Sequence, residues 1–122
     1  MEEQLITFET AKLAKEKGFN VPCVKIYNTE GELWNAYYST MKNDNVNPGA
    51  KCTAPTQSLL QKWLREVHKI SIKVDDFYTD SKLRFDFSVS ELGSQDDNPQ
   101  GVFESYEEAL EEGLLEALKL IK

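Results

Sequence analysis

The apolar positions of the chain change their period several times, and each change marks an element. Phe8, Ala11 and Ala14 recur at helical spacing between Thr7 and Lys17. Thr7 is placed to accept a backbone N–H as N-cap, with Glu9 in the first turn and Lys12, Lys15 and Lys17 toward the end, the signs a helix dipole favours. Gly18 supplies a left-handed residue to stop this helix, and Phe19 can fold back on Ala14. Two runs rich in aromatic and β-branched residues follow, Val21 to Tyr27 and Leu33 to Tyr38. Such residues suit a pleated surface, and Asn28-Thr29-Glu30-Gly31 between them suits a hairpin turn. Periodicity then lapses over residues 39–53, which read as a polar loop.

A second helix is announced by Leu59, Leu60, Trp63, Leu64 and Val67 on one face, with Pro55 expected as its first helical residue. The period next switches to two. Ile70, Ile72 and Val74 alternate with Ser71, Lys73 and Asp75, and after a turn expected near residues 75–81, Leu83, Phe85, Phe87 and Val89 alternate with Arg84, Asp86 and Ser88. One buried and one wet face in each strand is the antiparallel signature. Residues 90–101 form a second polar stretch. The last helix opens on the capping box Ser105-Tyr106-Glu107-Glu108 and carries an unbroken stripe from Tyr106 through Ala109, Leu110, Gly113, Leu114, Ala117 and Leu118 to Ile121. Gly113 lowers helix propensity by about 1 kcal/mol relative to Ala, which close approach of another helix would explain.

The predicted order is α-β-β-α-β-β-α. It implies an α+β fold in which a four-stranded antiparallel sheet has its helices packed on one face. The two αββ stretches suggest a loose duplication of elements. With 122 residues, 40% hydrophobic and 29% charged, the chain is expected to form a single globular domain over residues 1–122.

Charge alters this picture more than composition does. The net charge of −7 argues against broad coating of nucleic acid or of anionic membranes. Divided along the chain, however, it is uneven. Residues 1–50 hold five basic and seven acidic side chains, residues 51–74 five and one, and residues 75–122 four and thirteen. The basic block contains Lys51, Lys62, Arg65, Lys69 and Lys73, and the acidic one Glu104, Glu107, Glu108, Glu111, Glu112 and Glu116. Opposed surfaces of this kind orient a partner protein or pair two copies.

Three blocks resemble one group of proteins. They are Ile6-Thr7-Phe8-Glu9-Thr10-Ala11-Lys12-Leu13-Ala14-Lys15-Glu16-Lys17-Gly18-Phe19, then Ala54-Pro55-Thr56-Gln57-Ser58-Leu59-Leu60-Gln61-Lys62-Trp63-Leu64-Arg65-Glu66-Val67-His68, then Ser105-Tyr106-Glu107-Glu108-Ala109-Leu110-Glu111-Glu112-Gly113-Leu114. In that order they are similar to small proteins of gut bacteria, their phages and mobile elements. The resemblance implies an origin and carries over no activity, ligand or catalytic residue.

The chemistry of single residues is sparse. Cys23 and Cys52 have no metal-ligand or CxxC spacing and read as free thiols of a reducing compartment. The acidic start and the lack of an apolar run of about 18 residues predict a cytoplasmic protein without signal peptide or membrane contact. His68, the one histidine, falls at the end of the second helix, where it suits the dipole. Asp75-Asp76, Asp80 and Asp96-Asp97 read as solvated turn residues, since the alternating ligand pattern of a calcium loop is missing. Neither a phosphate-cradling glycine loop nor a nucleophile elbow occurs. No catalytic, cofactor or metal residue is nominated.

What remains is surface. Trp34-Asn35-Ala36-Tyr37-Tyr38 places aromatics on both faces of one strand, so one-sided burial cannot take them all. Trp34, Tyr37 and Tyr38, with Lys62, Arg65 and Lys69, are the candidate partner contacts. The leading expectation is a non-enzymatic protein-interaction module whose partner is another protein, a second copy of the chain included. The alternatives are a nucleic-acid-binding accessory protein that uses the basic second helix, and a small enzyme built on Cys52, His68 or the Asp75-Asp76 pair.

Overall fold

Capping chemistry sets the limits of the first and last helices. A computed structural model describes residues 4–36, 40–44, 49–91 and 99–121. Its elements run α1 (Phe8–Glu16), β1 (Lys25–Asn28), β2 (Leu33–Asn35), β3 (Ala50–Thr53), α2 (Gln57–Val67), β4 (Ile70–Thr79), β5 (Lys82–Glu91), β6 (Gln100–Phe103) and α3 (Tyr106–Lys119). Thr7 accepts the Thr10 N–H ahead of α1, and Ser105 accepts the Glu108 N–H at 3.1 Å ahead of α3. Gly18 takes φ 97°, so Phe19 N–H closes α1 on the Ala14 carbonyl at 2.9 Å. In α2 the cap is Thr56, whose Oγ1 accepts the Leu59 N–H at 3.2 Å. Pro55 therefore precedes the cap instead of opening the helix.

The chain divides into two compact units, Met1–Leu59 and Leu60–Lys122, with the division inside α2. In place of one four-stranded sheet there are two three-stranded antiparallel sheets, ordered β2-β1-β3 and β4-β5-β6. Of the added strands, β3 comes from a stretch expected to be a loop, and β6 begins in one, at Gln100 and Gly101, and runs into the unassigned Val102 and Phe103. Each has four residues, and in Ala50-Lys51-Cys52-Thr53 and Gln100-Gly101-Val102-Phe103 polar or glycine residues hide the alternation. At the level of elements the duplication becomes αβββ twice, but β1 is central in one sheet and β5 in the other.

In the first unit β1 pairs with β2 through Ile26↔Trp34 and Tyr27↔Leu33, and with β3 through Ile26↔Thr53 and Tyr27↔Cys52. The first turn is organised by Asn28, whose Oδ1 accepts the N–H groups of Glu30 and Glu32 at 2.9 and 2.8 Å, while Gly31 turns at φ 85°. The stretch expected to be a structureless loop holds a buried connector. Asn43 donates to the Phe19 carbonyl at 2.7 Å and accepts the Thr53 N–H at 2.8 Å. Ile6, Ala11, Ala14, Phe19, Ile26 and Cys52 form the apolar interior.

In the second unit β4 and β5 pair over their full ten residues, from Ile70↔Glu91 to Thr79↔Lys82. The turn is only Asp80-Ser81, both at positive φ (52° and 63°). Asp75 and Asp76, expected in a turn, therefore lie within a strand. α3 lies along one face of this sheet with Ala109, Leu110, Leu114, Ala117 and Leu118 buried. Gly113 is what lets it approach: a Cβ there would lie 2.8 Å from Ile72 Cγ2 and 3.3 Å from the Phe87 ring. The close neighbour is thus the sheet, not another helix.

Candidate functional site

The Asn28 turn fixes the register that presents Trp34. β2 is an outer strand, and its three residues are all exposed. Leu33 and Trp34 remain 45% and 42% accessible although they pair directly with half-buried Tyr27 and buried Ile26. The Ala36 N–H continues the ladder to the Val24 carbonyl at 2.9 Å, so that exposed Val24 lies across the ladder from Ala36. The far edge of the Trp34 indole lies over Gly49, 3.9 Å from where a Cβ would stand. Gly49, at the end of the 39–53 stretch, thus lies against the ring, which stays 42% accessible. Tyr37 and Tyr38 lie outside the described residues. The Lys25 ammonium is held by Asn35 Oδ1 across the pair.

The second candidate surface is α2. Lys62 and Arg65 are exposed and one turn apart on it, with exposed Glu66 beside them. Lys69 follows the helix at φ 58° and donates from Nζ to the Glu66 carbonyl at 3.0 Å. Its ammonium thus caps the helix C-terminus, so two side chains of the predicted trio are exposed and the third is engaged locally.

Neither cysteine has the surroundings of a nucleophile. Cys52 is fully buried, and burial pushes its thiol up to about 11 against the opposing pull of Lys15, Lys51 and Lys12. Burial likewise raises the Cys23 thiol, partly offset by the nearby Thr53 side chain. Such thiols stay protonated at neutral pH, and the thiolate is the reactive form. His68 lies edge-on to Trp63 at 4.7 Å. With Ile70, Glu91, Leu120 and Ile121 it lines an open cleft of about 360 Å³.

The carboxylates are arranged differently from the solvated turn expected of them. Asp75 stands directly across from Asp86, and Lys73 reaches Asp75 at 3.9 Å. The buried Oδ1 of Asp86 has no hydrogen-bond partner among the described residues. Asp96 and Asp97 lie outside those residues. No group of three or more His, Cys, Asp and Glu among the described residues could hold a metal ion. No described helix is long and apolar enough to cross a membrane.

Sequence reasoning missed the outer edge of β4 and the aromatic step beside it. Tyr78 is 75% exposed, its cross-strand neighbour Leu83 is 38% exposed, and Phe85 meets the half-exposed Tyr106 ring at 6.4 Å. The period-two pattern announced these strands but could not tell where α3 stops covering them. Compared with protein-family models, curated proteins and solved structures, the chain shows no match.

Proposed function

We propose that the chain is a non-enzymatic, cytoplasmic protein-interaction module of phage or mobile-element origin, and that it holds another protein through the β1–β2 edge. The carrying observation is the short outer strand that keeps Leu33 and Trp34 accessible beside Val24. An exposed tryptophan supplies a large rigid contact, and an outer strand offers backbone hydrogen bonds as well. Both support binding over catalysis, as does the burial that keeps the thiols protonated.

The test is gentle affinity purification of the tagged wild type and of Trp34→Ala from the native host. A stoichiometric partner retained by the wild type and lost by the variant, at unchanged melting temperature, is the expected result. A partner equally retained by both removes Trp34 from the reading. A second reading, nucleic-acid contact, draws support from exposed Lys62 and Arg65. It predicts binding to duplex or single strands that weakens steeply with added salt. With Glu66 beside them and Lys69 engaged, it is the weaker of the two.

A further inference from the structure

Among the described residues, nothing pairs with the backbone along the outer edge of β4 beyond Ile72. The Ile72 carbonyl accepts Gln61 Nε2 at 3.0 Å from outside the ladder. Ile72 therefore points away from β5, and by the alternation of an antiparallel pair so do Val74, Asp76 and Tyr78. No described residue bonds to the outward N–H and C=O groups of these three. Gln61 closes the edge at Ile72, and the Asp80-Ser81 turn ends it beyond Thr79.

Side-chain alternation then gives the strip two unlike faces. Asp76 and Tyr78 share the face of Leu83, Phe85 and Phe87, the one α3 covers only as far as its first residue, Tyr106. Past that point lie the exposed Tyr78, Leu83 and Tyr106, and the charged side chains near them are Asp76 on the strand with exposed Glu104, Glu107 and Glu108 at the start of the helix. The cations of the hairpin, Lys73, Lys82 and Arg84, alternate onto the other face with Asp75 and Asp86. The apolar step is thus rimmed by carboxylates.

A second copy fits this edge badly. Two-fold strand pairing must match outward residues with outward residues. Centred on Val74 it pairs Asp76 with Ile72, whose carbonyl Gln61 occupies. Centred on Asp75 or on Asp76 it sets identical carboxylates directly opposite each other, which is destabilising. Centred on Phe77 it needs Asp80, which is in the turn. Charge complementarity therefore favours a different occupant.

We propose that the edge from Val74 to Tyr78 accepts, by strand addition, a basic extended segment of a partner protein, with apolar residues on the Tyr78–Leu83–Tyr106 step and Lys or Arg toward Asp76 and Glu107. This surface lies in the second unit and does not depend on the Trp34 reading.

The probe is a short synthetic peptide alternating lysine with valine, with a glutamate–valine peptide as its control. The full chain binds the first and not the second, and binding slows hydrogen exchange at the Val74, Asp76 and Tyr78 amides. Asp76→Pro keeps the ladder, because the lost N–H points outward, and weakens binding about tenfold or more. Asp76→Lys weakens it severalfold by charge reversal and serves equally if the proline variant does not fold. Trp34→Ala leaves binding unchanged. Equal binding of both peptides, protection elsewhere, or undiminished affinity in the Asp76 variants overturns the proposal. Protection of the same amides that grows with protein concentration without peptide also overturns it, in favour of a second copy.

Discussion

The two sheets have the same number of strands and the same antiparallel pairing, yet different forces hold them. In residues 1–59 the strands are three or four residues long, and the register rests on polar side chains that reach backbone. Asn28 ties the first turn, Asn43 joins Phe19 to Thr53, and the Tyr27 hydroxyl donates to the Ile6 carbonyl at 2.6 Å. In residues 60–122 two ten-residue strands carry a long ladder, and one apolar stripe of α3 covers part of one of its faces. Short strands bury too little apolar surface to select a register by themselves, so individual polar groups select it. Long strands are selected by their pattern, where a slip of one residue would turn the whole face outward.

The sharpest way to break that contrast is at Asn43. Asn43→Ala removes a donor and an acceptor at once and leaves a buried carbonyl and a buried N–H without partners. The expected loss is about 2–4 kcal/mol, read from chemical denaturation. A loss under about 1 kcal/mol would mean that the first unit does not depend on this connector. Asn43→Asp keeps an acceptor for Thr53 but sets a buried carboxylate oxygen against the Phe19 carbonyl, so at neutral pH its loss is expected to match or exceed that of the alanine variant.

The matching perturbation in the second unit concerns shape instead of polarity. Gly113→Val pushes methyl groups against Ile72 and Phe87, and overpacking there costs about 1–3 kcal/mol. Ile72→Ala opens space beside it. The double variant is therefore more stable than the sum of the two single losses predicts, a positive coupling that a double-mutant cycle measures. Strict additivity would refute the close approach.

These forces also explain what was legible. The second unit could be read because period two over Ile70–Val74 and Leu83–Val89, and a helical stripe over Tyr106–Ile121, are long-range patterns of apolar residues. In the first unit α1 could be read from its caps, and the hairpin from Asn28 and Gly31. β3 could not, since its place is set by what Asn43 bonds to, and an asparagine in a polar run carries no mark of its burial. At the candidate surfaces Trp34, Lys62 and Arg65 are exposed, a fact that residue type alone does not state. Asp75 and Asp76 were misplaced because aspartate is rare in strands, so the pair resembled a turn. The β4 edge escaped notice because nothing local states which strand of a sheet lies outermost.

A third effect separates the units by pH. The Cys52 thiol sits at about 11 in the folded chain against 9.0 for an unperturbed thiol. Its neutral form is thus favoured by folding. The stability this gives is complete below about pH 9 and is lost as pH rises toward about 11. Near pH 10 the loss is about 1 kcal/mol. Cys52→Ala costs some packing at every pH but flattens this slope, so the gap between wild type and variant narrows on going from about pH 8 to about pH 10. A gap that stays constant would mean that the thiol is not shielded as its burial implies.

The smallest effect concerns the turns. Asp80 and Ser81 both adopt positive φ, a conformation that glycine and asparagine enter with less strain. Ser81→Gly relieves strain in the folded state but gives the unfolded chain more freedom, and the two partly cancel. A net gain of about 0.5 kcal/mol is expected, visible as a small rise in melting temperature. The turn only joins strands whose pairing extends ten residues on either side, so its chemistry has little leverage. Asn28 is the counterpart in the first unit, where the adjoining strand β2 has three residues and the side chain itself forms the turn. Asn28→Ala should therefore cost more than Ser81→Gly gains. If the two changes proved equal in size, the claim that side chains direct one sheet and pattern directs the other would fail at its simplest point.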